Sequence, residues 1–389
     1  MAGTVPKRTR TRPLRRSEVL TGSAAAATTA GLAGTAEAAR QGVTLTCGVG
    51  GTYSDINAAV AAAQANPAIV AGGKAQQDIT WAVKAGGVIS PIKQSIGGIA
   101  ANGHALLLTA APGEGFRDHP HALTNPLQFN EKHGAFVRST VNTYDSGVEL
   151  LADVTVFGLQ FAKFSAAAPI PPNAVVAVNT PTPHALVWDS NIVFQRARSH
   201  KAPGLYIEHG GTIRNSLFYG SDPNDVLCVY IVDGVSKMQF CTLASMTLST
   251  SYQGAGVTFG YSNPGEVINT IAAQFNNRNQ HAEGPAFEFS GIPGRQGNSD
   301  YNLTTNPTIV KAQFDTAHCQ HDAAVAVEFY ATGTGSIDPE AADWRLRPGS
   351  LKARGHAAPL AAVTLDILGQ KRSATAPCIG CYELPAAGK

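Results

Sequence analysis

The sequence repeats itself, and that repeat limits the fold more than any other feature. Five segments, WDSNIVFQ, TIRNSLFYG, KMQFCTLAS, EVINTIAAQ and GNSDYNLTT, each set a turn-forming residue ahead of alternating apolar residues. Aligning Asn191, Asn215, Cys241, Asn269 and Asp300 gives steps of 24, 26, 28 and 31 residues, and VTVFGLQFA places Gly158 33 residues before Asn191. Second strands, such as AVVAVNT, GLYIEHG and VLCVYIVDG, lie between the copies. A period of this size with two or three short strands per copy marks a solenoid. One coil cannot bury its inward residues alone, so it stacks on its neighbours and pairs its backbone with them. The expected fold is all-β, a right-handed parallel β-helix solenoid. Asn suits the sharp bends because it tolerates left-handed backbone angles and can hydrogen-bond from coil to coil. A β-sandwich would need more tight two-residue turns than the sequence contains. Steps that lengthen along the chain predict loops bulging from one bend, where solenoids of this kind often bind.

Composition agrees with this reading. Charged residues make up 14% of the chain, against about 25% in ordinary soluble domains, while Gly (40) and Pro (23) are frequent. That mixture excludes a helical bundle and a disordered chain. Ahead of the repeats, VTLT reads as a strand and GVGG as a turn. A short N-terminal capping helix is predicted next, with Ser54 as N-cap, Ile56, Ala59, Val60 and Ala63 on one face, and Pro67 ending it. It would cover the open edge of the first coil. The chain thus divides into a basic, Ala-rich arm or export signal (1–42), the β-helix with its cap (43–310), and a C-terminal end and tail (311–389).

Residues 1–38 hold six basic side chains and two acidic ones, which leaves −2 of the total +2 for the rest. The body therefore has no basic face for nucleic acid. The arm, with RTRPLRRSEVL, a small-residue run and Ala36-Glu37-Ala38, resembles a twin-arginine export signal with one residue too many after Arg15-Arg16. The other reading is a basic arm that docks a virion protein on its neighbours. No segment is long and apolar enough to span a membrane.

GTYSDINAAVAAA resembles the opening of pectate-lyase-like β-helix proteins. DWRLRPGSLKARG and LDILGQKRSATAPCIGCYE resemble their common ending through Asp343, Leu346, Pro348, Gly349, Ser350, Gly355, Asp366, Gly369, Arg372, Ile379, Gly380, Tyr382 and Glu383. APGEGFRDHPHALTNPLQFNEKHGAF is similar to a segment of β-helix proteins among phage, prophage and bacterial surface proteins. The resemblance implies the fold over most of residues 43–383 and says little of function, because this fold hosts lyases, hydrolases, adhesins and spikes alike. It also implies homotrimeric association as one form of assembly.

Catalytic signatures of such folds are missing. Polygalacturonase-like enzymes carry N-T-D, D-D and G-H-G in successive coils, whereas here INT is followed by Ile271 and the nearest match to G-H-G is IEHGG. No calcium-binding carboxylate cluster of the pectate-lyase kind is evident either. The best catalytic candidates are Glu208, His209 and Asp233, which fall on consecutive coils with Arg214 and could converge in a cleft; the bland reading makes them solvated bend residues. Tyr206, Arg214, Tyr219, Asp222 and Asp225 are the binding candidates, and Phe218, Tyr230 and Tyr252 are further aromatics that could stack on sugars or fill the core. In FRDHPH, Arg117, Asp118, His119 and His121 form either an acid–base or metal group or a structured loop with a local Arg117–Asp118 pair.

Six cysteines complete the inventory. Cys378-x-x-Cys381 stands where the related ending has Asp and Ala, and no helix follows it, which argues against a thioredoxin-like role. Cys378, Cys381, Cys319 and Cys47 are disulfide candidates that would staple the tail to the body or to a neighbour. A four-ligand zinc site from His318, Cys319, His321, Cys378 and Cys381 is the weaker alternative. Cys228 and Cys241 read as small core residues. No cofactor is expected. The function that follows is a structural or glycan-binding β-helix, as in a phage virion spike or decoration protein or an exported surface protein, with polysaccharide or other virion or surface proteins as partners. The alternative is an exported polysaccharide lyase or glycoside hydrolase.

Overall fold

Short runs with alternating apolar residues give short strands, and their repetition gives three parallel sheets. The computed structural model describes residues 42–141, 145–164, 174–196, 203–221, 226–232, 236–246, 255–259, 265–275, 287–289, 299–305, 316–321 and 323–385. The first sheet has eight strands, from Gly42–Cys47 through Leu106–Ala110 and Gly211–Arg214 to Glu266–Ile268. The second also has eight, from Val88–Ser90 through Gln160–Phe164 and Leu217–Gly220 to Leu303–Thr304. The third has seven, from Gln94–Ile96 through Pro203–Ile207 to Phe287–Phe289. Each coil contributes one strand to each sheet, and within these sheets every pairing is parallel. This is a parallel β-helix, as the repeat predicts.

The bend between the first and second sheets corrects the repeat alignment. Gly158, Ser190, Asn215, Phe240, Asn269 and Tyr301 hold the same place in successive coils, all with positive φ. Asn191, Ser216, Cys241, Thr270 and Asn302 occupy the next place. The alignment on Asn191, Asn215, Cys241, Asn269 and Asp300 therefore mixes neighbouring positions. The coil-to-coil bonds come mainly from the second column, and they run from side chain to backbone. Asn191 Oδ1 accepts from Leu159 N–H (2.9 Å), Ser216 Oγ from Asn191 N–H (3.2 Å), and Asn302 Oδ1 from Thr270 N–H (2.9 Å). Thr270 Oγ1 accepts from Cys241 N–H at 3.3 Å.

The helix Ile56–Ala65 buries Ile56, Ala59, Val60 and Ala63 as its spacing predicts. Its N-cap is Asp55, whose carboxylate accepts from Ala58 N–H, rather than Ser54, which bonds to Asp55 instead. Gln94 Oε1 accepts from Ile56 N–H and Asn57 N–H, tying the helix start to the first strand of the third sheet.

Two apolar layers result. The inner one fills the coils with Trp81, Phe161, Trp188, Phe218 and Leu243, all buried. The Trp188 ring lies 5.2 Å from Phe161 and 6.3 Å from Phe218. Burying side chains of this size contributes roughly 1.5–3 kcal/mol each. The outer layer lies on the other face of the second sheet, where Phe136, Phe194, Leu217, Tyr219 and Ile271 would otherwise meet water. The loop 116–136 and the C-terminal stretch 323–385 cover that face with Phe129, Phe329, Trp344 and Ile379. Arg372 anchors this cover. It is buried 4.0 Å from the Phe240 ring centroid and bonds to Asn215 Oδ1, Gly380 O and Glu383.

Candidate binding groove

Where the outer cover meets the early coils, it leaves an open groove of about 670 Å³. Half-buried Phe164 offers its ring to it, while Phe129 and Phe136 lie beneath, 2% and 3% exposed, with Phe129 edge to face with the other two rings at 6.1–6.2 Å. Ile89 and Ile337, exposed by 49% and 52%, stand at its rim. Charges of both signs line it: Lys132, Arg138 and Arg196 with Glu131, Asp338 and Glu340. Arg138 Nη1 pairs with Glu131 Oε1 at 2.5 Å, while its Nε is buried without a hydrogen-bond partner. One aromatic ring and two exposed isoleucines beside charged groups of both signs suit a polyhydroxylated ligand, which needs apolar contact for its C–H faces and partners for its hydroxyls.

The walls are built to hold their positions. One is the turn at Asn130, where Gln160 receives Asn130 N–H on Oε1 and donates through Nε2 to the Asn130 carbonyl. The other is the 3-10 turn Pro339–Ala341, capped by Asp338, whose Oδ1 accepts from Glu340 N–H. Tyr219 joins them. Its hydroxyl accepts from Phe129 N–H at 2.6 Å and donates to Pro339 O at 3.2 Å. Burial pushes this phenol well above its ordinary pKa, so it stays protonated and able to donate. Predicted as a ligand contact, Tyr219 is instead a buried strut, 1% exposed.

The other predicted residues scatter. Arg214 is buried, with Nε held by Asp189 Oδ2 at 2.8 Å, at the bend from the first sheet to the second. Glu208 and His209 lie at the bend leaving the third sheet, half-buried; Glu208 N–H bonds to Val178 O and His209 O accepts from His184 N–H. The expected cleft joining Arg214 to them is therefore not formed. Asp222, Asp225, Asp233 and Tyr252 fall outside the described residues. Tyr206 does face outward, stacked on Tyr230 of the next coil with centroids 5.8 Å apart and planes at 17°. Phe218 belongs to the inner core. Asp118 accepts from Gly115 N–H rather than pairing with Arg117, whose guanidinium sits over the Phe157 ring.

All six cysteines are buried free thiols, so no disulfide staples the tail. Cys47 and Cys319 belong to the inner core, Cys378 and Cys381 to the outer layer. Cys381 instead holds its place through its N–H to Thr242 Oγ1 (3.2 Å), and burial pushes its thiol up to about 12. Of the proposed zinc ligands, Cys319 thus lies in one layer and Cys378 and Cys381 in the other. His318 pairs with Asp300 at 2.8 Å and stacks on Tyr301. Among the described residues, no three of His, Cys, Asp or Glu gather to hold a metal ion, and no helix is long and apolar enough to cross a membrane.

The sequence reading missed the groove. A partial signal existed: Phe164 and Arg196 share one register position at the ends of their strands, the place where alternation turns side chains outward.

No known protein-family model matches the sequence, and no curated protein matches it. Among solved structures, this chain is similar to the pectin methylesterase from Aspergillus niger in deglycosylated form. The two are 12% identical, the match covers 77% of this chain and 97% of that one, and the TM-score is 0.23.

Proposed function

We propose that this protein is a glycan-binding β-helix of a surface-exposed particle or an exported surface layer, and that the Phe129–Phe136–Phe164 groove is its recognition surface. The observation that carries this reading is one open groove combining the half-buried Phe164 ring and the exposed Ile89 and Ile337 with six charged side chains. A sugar presents apolar C–H faces and a ring of hydroxyls, and both find complements there. Such a surface binds through many modest contacts, so a polysaccharide spanning several sugars is the fitting ligand. The test is a glycan array followed by calorimetry on the full chain. Wild type should bind a restricted set of glycans, and Lys132→Ala and Arg196→Ala, at exposed and half-buried groove positions, should each weaken binding without lowering thermal stability. Wild type binding no glycan, or both variants binding as well as wild type, would overturn the reading.

A second reading has one observation in its favour, since three carboxylates, Glu131, Asp338 and Glu340, line the same groove. Glycosidases use a pair of carboxyl groups about 5–10 Å apart. Release of reducing ends from a bound glycan, abolished by Glu340→Gln, would establish hydrolysis; binding without release leaves the protein a lectin-like module.

A further inference from the structure

Arg117 stands in the wall between two other cavities. On one side is a small one of about 30 Å³, lined by Asp189, Ser190, Arg214 and Asn215. On the other is an open groove of about 500 Å³ that carries His119, His121 and Thr124. The guanidinium lies 5.0 Å from the Phe157 ring centroid. Gly369, at φ +81°, packs its backbone against the same group, and a Cβ there would come within 2.4 Å of Nη2. The arginine is thus held in place from two sides, by an aromatic face and by backbone, with no carboxylate bonded to it.

The nearby acids, Asp118, Asp189 and Asp366, favour the cation through space, but each spends its oxygens on other partners. Asp189 accepts from Arg214, Asn215 and Ser190. Asp366 accepts from the N–H groups of Leu368, Gln370 and Glu383, and Asp118 from Gly115 N–H. Arg117 makes no ion pair or hydrogen bond with any described residue. A half-buried cation of this kind is costly unless something pairs with it. His119 adds a directed donor: its Nδ1 accepts from His121 N–H at 3.2 Å, so the proton of the neutral ring resides on Nε2. The His121 ring is 5.8 Å away, and His133 packs on the other side at 5.2 Å.

We infer that the Arg117–His119–His121 groove is an oxyanion site, taking a carboxylate, sulfate or phosphate group on the fork of Arg117, with the two imidazoles lining the same groove. It shares no lining residue with the aromatic groove, so it does not depend on the glycan reading. The oxyanion is either a free inorganic ion or an acidic substituent on a saccharide.

Calorimetry on the full chain, at constant ionic strength, separates these. The probes are inorganic sulfate, inorganic phosphate, and a sulfated oligosaccharide beside its desulfated counterpart. At least one anionic probe should bind, and Arg117→Gln should weaken it by about tenfold or more, the effect of removing a charge-assisted hydrogen bond. Lys237→Gln, which removes an exposed cation on the first sheet, should leave binding unchanged. Sulfated saccharide binding far more tightly than inorganic sulfate assigns the substituent; equal affinity assigns the free ion. Should Arg117→Gln fail to fold, His121→Ala, at an exposed position, gives the same reading. Wild type binding none of the anions, or binding unchanged in the folded variants, would sink the proposal.

Discussion

The Tyr219 hydroxyl receives the Phe129 N–H at 2.6 Å, which fixes the loop 116–136 against the second sheet. Because Phe129 forms the floor of the groove, one buried phenol sets both the stability of the outer layer and the shape of the recognition surface. Tyr219→Phe keeps the ring and removes the hydroxyl, leaving a buried N–H unpaired. The expected loss is about 1–3 kcal/mol in urea unfolding, together with weaker glycan binding. Equal stability of the variant and wild type would contradict this role.

Breaking the Asp189–Arg214 pair should cost more. Both side chains are less than a tenth exposed, and Asp189 also holds Asn215 and Ser190. Asp189→Ala strands a buried guanidinium, and the expected destabilisation is about 3–5 kcal/mol. Thermal unfolding measures it. A surface-like loss below about 1 kcal/mol would mean that Arg214 finds water or another partner.

The side-chain column at the bend gives a graded test. Thr270→Val deletes the oxygen that accepts Cys241 N–H while keeping volume, and Asn302→Ala deletes the acceptor for Thr270 N–H. Each should destabilise by about 1–2 kcal/mol. The Asn302 variant should suffer more, because its amide also donates to Val267 O at 2.7 Å.

Lys163 makes stability depend on alkaline pH. Burial lowers its pKa to about 8, opposed in part by Asp145. The unfolded chain, with a lysine pKa near about 10.4, binds the proton more tightly than the folded one between those values. The Lys163 contribution to stability should therefore rise as pH increases from about 8 to 10, opposing the buried thiols such as Cys381, whose raised pKa works the other way. The urea midpoint of Lys163→Met should therefore fall more steeply over this range than that of wild type; parallel profiles would show that Lys163 does not contribute.

The thiols offer a simple check on the tail. With all six cysteines free and buried, a reductant should leave the melting temperature unchanged. Alkylating reagent should label the native protein slowly and the urea-unfolded protein six times. A mass deficit of paired hydrogens, or a melting point that drops on reduction, would restore the covalent staple.

Periodicity reported the coils because each inward row repeats at every turn, and burial of Ile56, Ala59, Val60 and Ala63 followed directly from helical spacing. The alignment slipped by one place because Ser216 and Thr270 perform the hydrogen bonding that Asn191 and Asn302 perform, and no count of Asn residues reveals that. Arg214 and Tyr219 were misread for a different reason. Alternation identifies which face of a strand a residue occupies, but the outward face of the second sheet is itself covered. The groove was hidden for the same cause: its walls, near Asn130 and Pro339, are far apart in the chain and meet only after the tail folds back.

That return of the tail changes how the molecule should come apart. A plain stack of coils has only nearest-neighbour coupling, and it can fray from either end. Here one stretch touches the loop 116–136, which leaves an early coil, through Asp343 and Leu127 N–H, the middle coils through Arg372 and Asn215, and the late ones through Gly380 N–H and Asn269 O. Fraying the late coils therefore loosens a belt that also holds the loop 116–136 of an early coil. The ends of the solenoid share one fate, and its unfolding becomes a single cooperative event rather than a peeling of turns.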